Sequence, residues 1–192
     1  MLRLEPVAAV ATEPVSVAEA KAWLRLDHAH EDALVGALVA AARDLCERHT
    51  GLALAPQSWR MAIDGRHLDG LAAGRPVELM RPPFGALLEA EALLADGATA
   101  AVPLDTFVAT GVDPCFLRLR AGKSLPAGTV ELRVTYSAAP AAPCPPAARQ
   151  AIRMLVAQWY ESREAAAPAG FELREPPNAV AALLHKLCVP RL

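Results

Sequence analysis

The chain has 192 residues, with 19 Lys and Arg against 21 Asp and Glu, a formal net charge of −2. Free-standing sequence reading of nucleic acid calls for a basic face, and the net charge argues against one, although it is compatible with DNA merely passing by. Hydrophobic residues make up 54%, much of it Ala, and aromatics only 5%, enough to bury the core of one ordinary domain or of one domain with an insertion.

The opening "MLRLEPVAAVATEP" is interrupted by Glu5, Pro6 and Glu13, so it does not read as a signal peptide. No apolar run approaches the ~20 residues of a membrane span. A soluble intracellular product is expected. The first helix is announced by "SVAE", in which Ser16 and Glu19 form a capping box, and should run to about Leu26. After "DHAHED" a second helix begins near Glu31. Leu34, Leu38, Ala41, Ala42, Leu45 and His49 predict its buried face, and Arg43, Asp44, Glu47 and Arg48 its solvent side. Gly51 is its C-terminal stop.

From about Pro56 the period shortens to two. "SWRMAID" alternates Trp59, Met61 and Ile63 against polar neighbours, and "RPVELMRPPFG" holds a short strand ended by Pro82 and Pro83. "ALLEAEALLADGATAAVPL" has helix-like composition, but Asp96–Gly97 is a type I′ hairpin signal, and a hairpin is preferred. "DTFVATG", "CFLRLRAG" and "GTVELRVTYS" read as strands; in the last, Val130, Leu132, Val134 and Tyr136 alternate against Glu131, Arg133 and Thr135. A Pro-rich connection leads to a third helix with Pro145 and Pro146 in its first turn, running to about Ala167. "FELREPPN" is an extended linker, and "AVAALLHKLCV" a short last helix. The fold class is α+β, with a helical core and an inserted antiparallel β region.

Tests for chemistry are negative. His28, His30, Glu31 and Asp32 are all possible metal ligands, but they lack the i, i+4 histidine pair of a helical site, and acids at a helix start are favourable in themselves. No metal and no cofactor are expected. "AGKS" at 121–124 has the last letters of a phosphate-binding loop, yet Leu117 stands where a Gly is needed and no helix follows; a hairpin turn is expected. No G-x-S-x-G elbow is present. Cys46, Cys115, Cys144 and Cys188 form no C-x-x-C pair and are expected as reduced structural thiols. No enzyme is expected.

The third helix is more informative. In "IRMLVAQWYESRE", residues 152–164, Ile152, Leu155, Val156 and Trp159 share one face. Ala147, Ala151, Met154, Ala157 and Ala165 make a low ridge on the opposite side. A helix apolar on two sides must be buried on two sides. Another subunit or the β region could supply the second cover.

Residues 14–54, "PVSVAEAKAWLRLDHAHEDALVGALVAAARDLCERHTGLAL", resemble the N-terminal half of the head–tail connector (adaptor) proteins of long-tailed phages, prophages and phage-like gene transfer agents. "MRPPF", "VTYSA", "VAQWYESREA" and "PNAVAALL" are similar to further motifs of that family, so the resemblance spans nearly the whole chain. At the tail, Val189, Pro190 and Arg191 stand where the family often has a Tyr–Arg pair.

The resemblance implies a structural adaptor forming a ring, usually of twelve copies, beneath the portal protein in the particle neck. A stopper or head-completion protein would follow, and DNA would pass through the lumen without sequence-specific binding. It implies a helical part at 1–55, an inserted β region at 56–140, a third helix at 141–170 and a C-terminal arm at 171–192. A ring needs two different mating patches on each subunit. Met154, Trp159, Tyr160, Arg163 and Glu164 are the interface candidates. Phe171, Leu173, Arg174, Leu183, Leu184, Leu187, Arg191 and Leu192 are the portal-binding candidates. The alternative from another class is a monomeric or dimeric scaffolding module with no virion role.

Overall fold

The computed structural model of the chain describes residues 2–8, 10–138, 143–162 and 177–188. The chain divides into two compact units, Met1–Ala11 with Pro56–Ala141, and Thr12–Ala55 with Ala142–Leu192. Among the described residues there are five α-helices and two antiparallel sheets, and no helix is long and apolar enough to cross a membrane.

In the sheet unit, β1 (Leu2–Pro6), β2 (Gln57–Asp64), β4 (Phe84–Leu94), β5 (Thr99–Ala101) and β8 (Thr129–Ala138) form a sheet of order β1-β2-β8-β4-β5. The predicted alternation of β2 holds: Trp59, Met61 and Ile63 are buried and lie opposite Tyr136, Val134 and Leu132 of β8. Val130, expected on that same face, is exposed instead, at the end where the ladder runs out. β3 (Val77–Leu79), β6 (Phe107–Thr110) and β7 (Cys115–Leu119) make a second sheet of order β3-β7-β6. The turn after β6 depends on Gly111: its φ is +87°, and a Cβ there would stand 2.3 Å from the Pro114 carbonyl oxygen.

Several expectations change here. β1 was not anticipated; by pairing with β2 it takes the first eleven residues into the sheet unit, away from the helical part assigned to 1–55. The helix α3 (Gly65–Ala72) was also missed, because its two glycines and its length of eight residues give it weak intrinsic propensity. It forms because Leu68 and Leu71, three apart, are buried. The 84–101 stretch is the expected hairpin, but its turn is not type I′. Gly97 alone has positive φ there; its N–H bonds the Leu94 carbonyl, and Leu94 N–H bonds the Ala98 carbonyl, a three-residue loop. "AGKS" turns with Gly122 at φ +77° but joins strands of two different sheets, so it is no hairpin.

The helical unit contains α1 (Val17–Leu24), α2 (Asp32–Thr50), α4 (Pro146–Ser162) and α5 (Asn178–Leu184), the last followed by a 3-10 turn at His185–Leu187. Ser16 and Glu19 form the predicted capping box, and Gly51 closes α2 in the left-handed conformation. The buried stripe of α2 is Val35, Val39, Ala42, Leu45, Cys46, Glu47 and Thr50. It is rotated about one residue from the expected stripe, so Leu34, Ala41 and His49 are exposed. Doubled apolar positions such as Leu34–Val35 and Leu38–Val39 satisfy either register; packing against α4 chooses. On α4, Ala148, Ala151, Ile152, Leu155 and Val156 are fully buried. These residues join a core shared with α1, α2 and α5, whereas Ala147, Met154 and Ala157 on the opposite ridge are only partly buried.

Candidate interaction surfaces

The helical unit is tied together by two carboxylates. Glu19 completes the α1 capping box and also accepts from Arg149, with Arg153 Nη2 at 3.3 Å, so the first turn of α1 is clamped to α4. The Ser16 backbone N–H, aided by the two arginines, holds the Glu19 carboxyl below the usual glutamate range. Glu47 is 1% exposed. Its Oε2 accepts from Arg43 Nη1 at 2.7 Å and its Oε1 from the Leu54 N–H at 2.8 Å. Arg43 Nε also donates to Glu13 at 2.8 Å. This clip fixes both the lead-in to α1 and the exit from α2. Expected on the solvent side, Glu47 is buried instead; an Arg–Glu pair at i, i+4 was the signal available.

At the turn between α1 and α2, the rings of His28 and His30 stack with centroids 3.7 Å apart and 14° between planes. Glu31 beside them accepts from the Tyr160 hydroxyl, and its Oε2 lies 3.7 Å from His28 Nε2. The end of α4 is therefore bonded to this turn.

In the sheet unit a charged cluster covers one face of β1, β2 and β8. Arg3, Glu5, Arg60, Glu131 and Arg133 line a pocket of about 240 Å³. Glu131 accepts from Arg133 Nε at 2.7 Å and from Arg3, and these bonds hold its carboxyl below the usual range. A depressed carboxylate stabilises the fold above the unfolded-state value, about 4.3, and that stability is lost as pH falls through the folded value. Glu131→Gln is expected to lower the urea midpoint at pH 7 and to flatten its decline between about pH 5 and pH 3. An unchanged acid slope in the variant would remove Glu131 from the acid response.

Cys46, Cys115 and Cys144 are buried, and burial pushes their thiols up to about 12, 11 and 11. Such thiols are inert as nucleophiles. Tyr136, also raised by burial, donates its hydroxyl to the Met80 carbonyl.

Neither a protein-family model nor a curated protein matches the sequence. Solved structures do match. A chain in the neck of an empty gene transfer agent (GTA) particle, computed with C6 symmetry, superposes with a TM-score of 0.75 at 23% identity, covering 99% of this chain and 97% of that one. A chain of the native GTA virion gives 0.73 at 24%, covering 98% and 96%. A chain in the native neck, computed with C12 symmetry, gives 0.71 at 23%, covering 99% and 97%. The fold is one found in the neck of GTA particles.

On this neck fold, the residues expected at interfaces fall into three groups. Met154, Trp159, Tyr160 and Leu187 are partly buried against the helical core, and Leu183 is half-buried. Leu184 is fully buried, a core residue of α5, and this corrects its assignment as a contact residue. Arg163, Glu164, Phe171, Leu173, Arg174, Arg191 and Leu192 lie outside the described residues. Sequence reasoning overlooked Trp23 and Leu34, which are 47% and 39% exposed on α1 and α2. Leu34 belongs to the stripe expected to be the buried face of α2.

Proposed function

We propose that this chain is a structural head–tail adaptor, assembled as a ring of twelve beneath the portal and leaving a central passage for DNA. The observation that carries this reading is the match over 96–99% of both chains to GTA neck and virion structures. The connector-like motifs at 14–54 and 156–165 support it independently. The C6 and C12 symmetries of the two neck structures favour a ring for this chain as well. Ring contacts are proposed at the end of α4 (Met154, Trp159, Tyr160, with Arg163 and Glu164) and at the exposed Trp23 and Leu34. Segment 171–192 is proposed to reach the portal, and the stopper or head-completion protein to bind the opposite side.

The portal assignment is tested by cosedimentation with portal-bearing heads. Removing all of 171–192 would also strip Val180 and Leu184 from the core, so the variant should combine Phe171→Ser, Leu173→Ser and Arg174→Glu with loss of 189–192. Its binding is expected to fall at least about tenfold, as when hot-spot contacts are removed. Undiminished binding would sink the portal assignment.

A further inference from the structure

We propose that the turn between α1 and α2 is a binding site for a borderline divalent transition-metal ion, Zn²⁺ in the first place, with His28, His30 and Glu31 as its ligands. One ligand atom from each residue lies within 4.8 Å of the other two. From that separation, side-chain rotations that unstack the two imidazoles can bring all three to the ~2.0–2.2 Å bonds of zinc. Two imidazoles and one carboxylate suit zinc-like ions; calcium and magnesium prefer oxygen alone.

The local backbone explains why the i, i+4 requirement of a helical site does not apply. Arg25 caps α1 in the left-handed conformation, α2 begins at Asp32, and the ligands stand on the turn between them. His28 and His30 are alternate residues of a non-helical segment, and their rings come to the same side.

Two further observations point the same way. His28 Nδ1 is buried without a hydrogen-bond partner, an arrangement that costs free energy unless something else satisfies it. Glu31 accepts from the Tyr160 hydroxyl, the outer-shell bond that orients a ligating carboxylate. His30 is exposed, which gives the ion an entry path and leaves a fourth position for water. Through Tyr160 the ion would lock the α1–α2 turn to the end of α4. This inference does not rest on the neck role.

The test uses the full chain, free of any affinity tag, stripped with chelator and titrated with Co²⁺ and then Zn²⁺. Visible Co²⁺ absorption should saturate at one equivalent and be displaced by Zn²⁺. A hundredfold excess of Zn²⁺ over its Kd should raise the thermal midpoint by about 5–10 °C. His30→Ala, at an exposed position, should weaken binding at least tenfold, and Tyr160→Phe about 10–100-fold. Equal uptake by wild type and a His28→Ala/His30→Ala chain would overturn the proposal. So would sulfur-to-cobalt charge-transfer bands, which would place the ion on a cysteine such as Cys188, or the absence of saturable uptake.

Discussion

Replacing Glu47 by Ala is expected to destabilise the helical unit by about 3 kcal/mol, the low end of the range for breaking a buried ion pair. The low end applies because Arg43 keeps its second partner, Glu13. The loss has two parts. Arg43, itself mostly buried, loses one of two carboxylates, and the Leu54 N–H loses its acceptor. Glu47→Gln should cost less, about 1–2 kcal/mol, since an amide oxygen still accepts from Leu54. Urea titration followed by the emission of Trp23 and Trp159, with Trp59 replaced by Phe, reports on this unit. A loss below about 1 kcal/mol for Glu47→Ala would mean that the clip is not closed in solution.

Leu155→Ala is expected to cost about 2–5 kcal/mol, the range for a large-to-small change in a packed core. Leu155 is fully buried in a core shared by α1, α2, α4 and α5, so four helices would have to close around the cavity. Met154→Ala, one position along and only partly buried, should cost clearly less. The comparison separates the two sides of α4. If Met154→Ala proved as damaging as Leu155→Ala in the dilute chain, the cover of α4 would not be the one described.

The legible parts of the fold were those governed by local rules. Ser16 and Glu19 announce a helix start because two side chains satisfy two orphan backbone groups within four residues. Gly51 ends α2 because the left-handed conformation is free of penalty only for Gly. Between Ala86 and Leu104 the Asp96–Gly97 turn signal argued for a hairpin against the helical composition. The β4–β5 ladder bears the hairpin out, and pairing of β4 with β8 buries Ala90 and Ala92.

The illegible parts share one cause. β1 has no pattern of its own beyond a few apolar residues, and becomes a strand through its pairing with β2, more than fifty residues later. The buried stripe of α2 could be read in two registers, and only the neighbouring helix distinguishes Leu34 from Val35. Glu47 looked like a solvated charge because the Leu54 N–H meets it only when the chain after Gly51 folds back, and Glu13 reaches Arg43 only in the packed unit.

The sequence by itself determined the start of α1 and the end of α2, the change of period at about Pro56, the α+β class, and the connector-like motifs that point to a particle neck. Each of these depends on residues within a turn or two of one another, or on letters that can be matched directly. Tertiary structure alone decided which apolar stripe is core, that the first eleven residues belong with the sheet, and that Trp23 is exposed. It also brought Tyr160 to Glu31 and the paired histidines, a meeting of residues 129 positions apart. Side chains so distant share no local rule, and only the packing of α4 within the helical unit sets their distance.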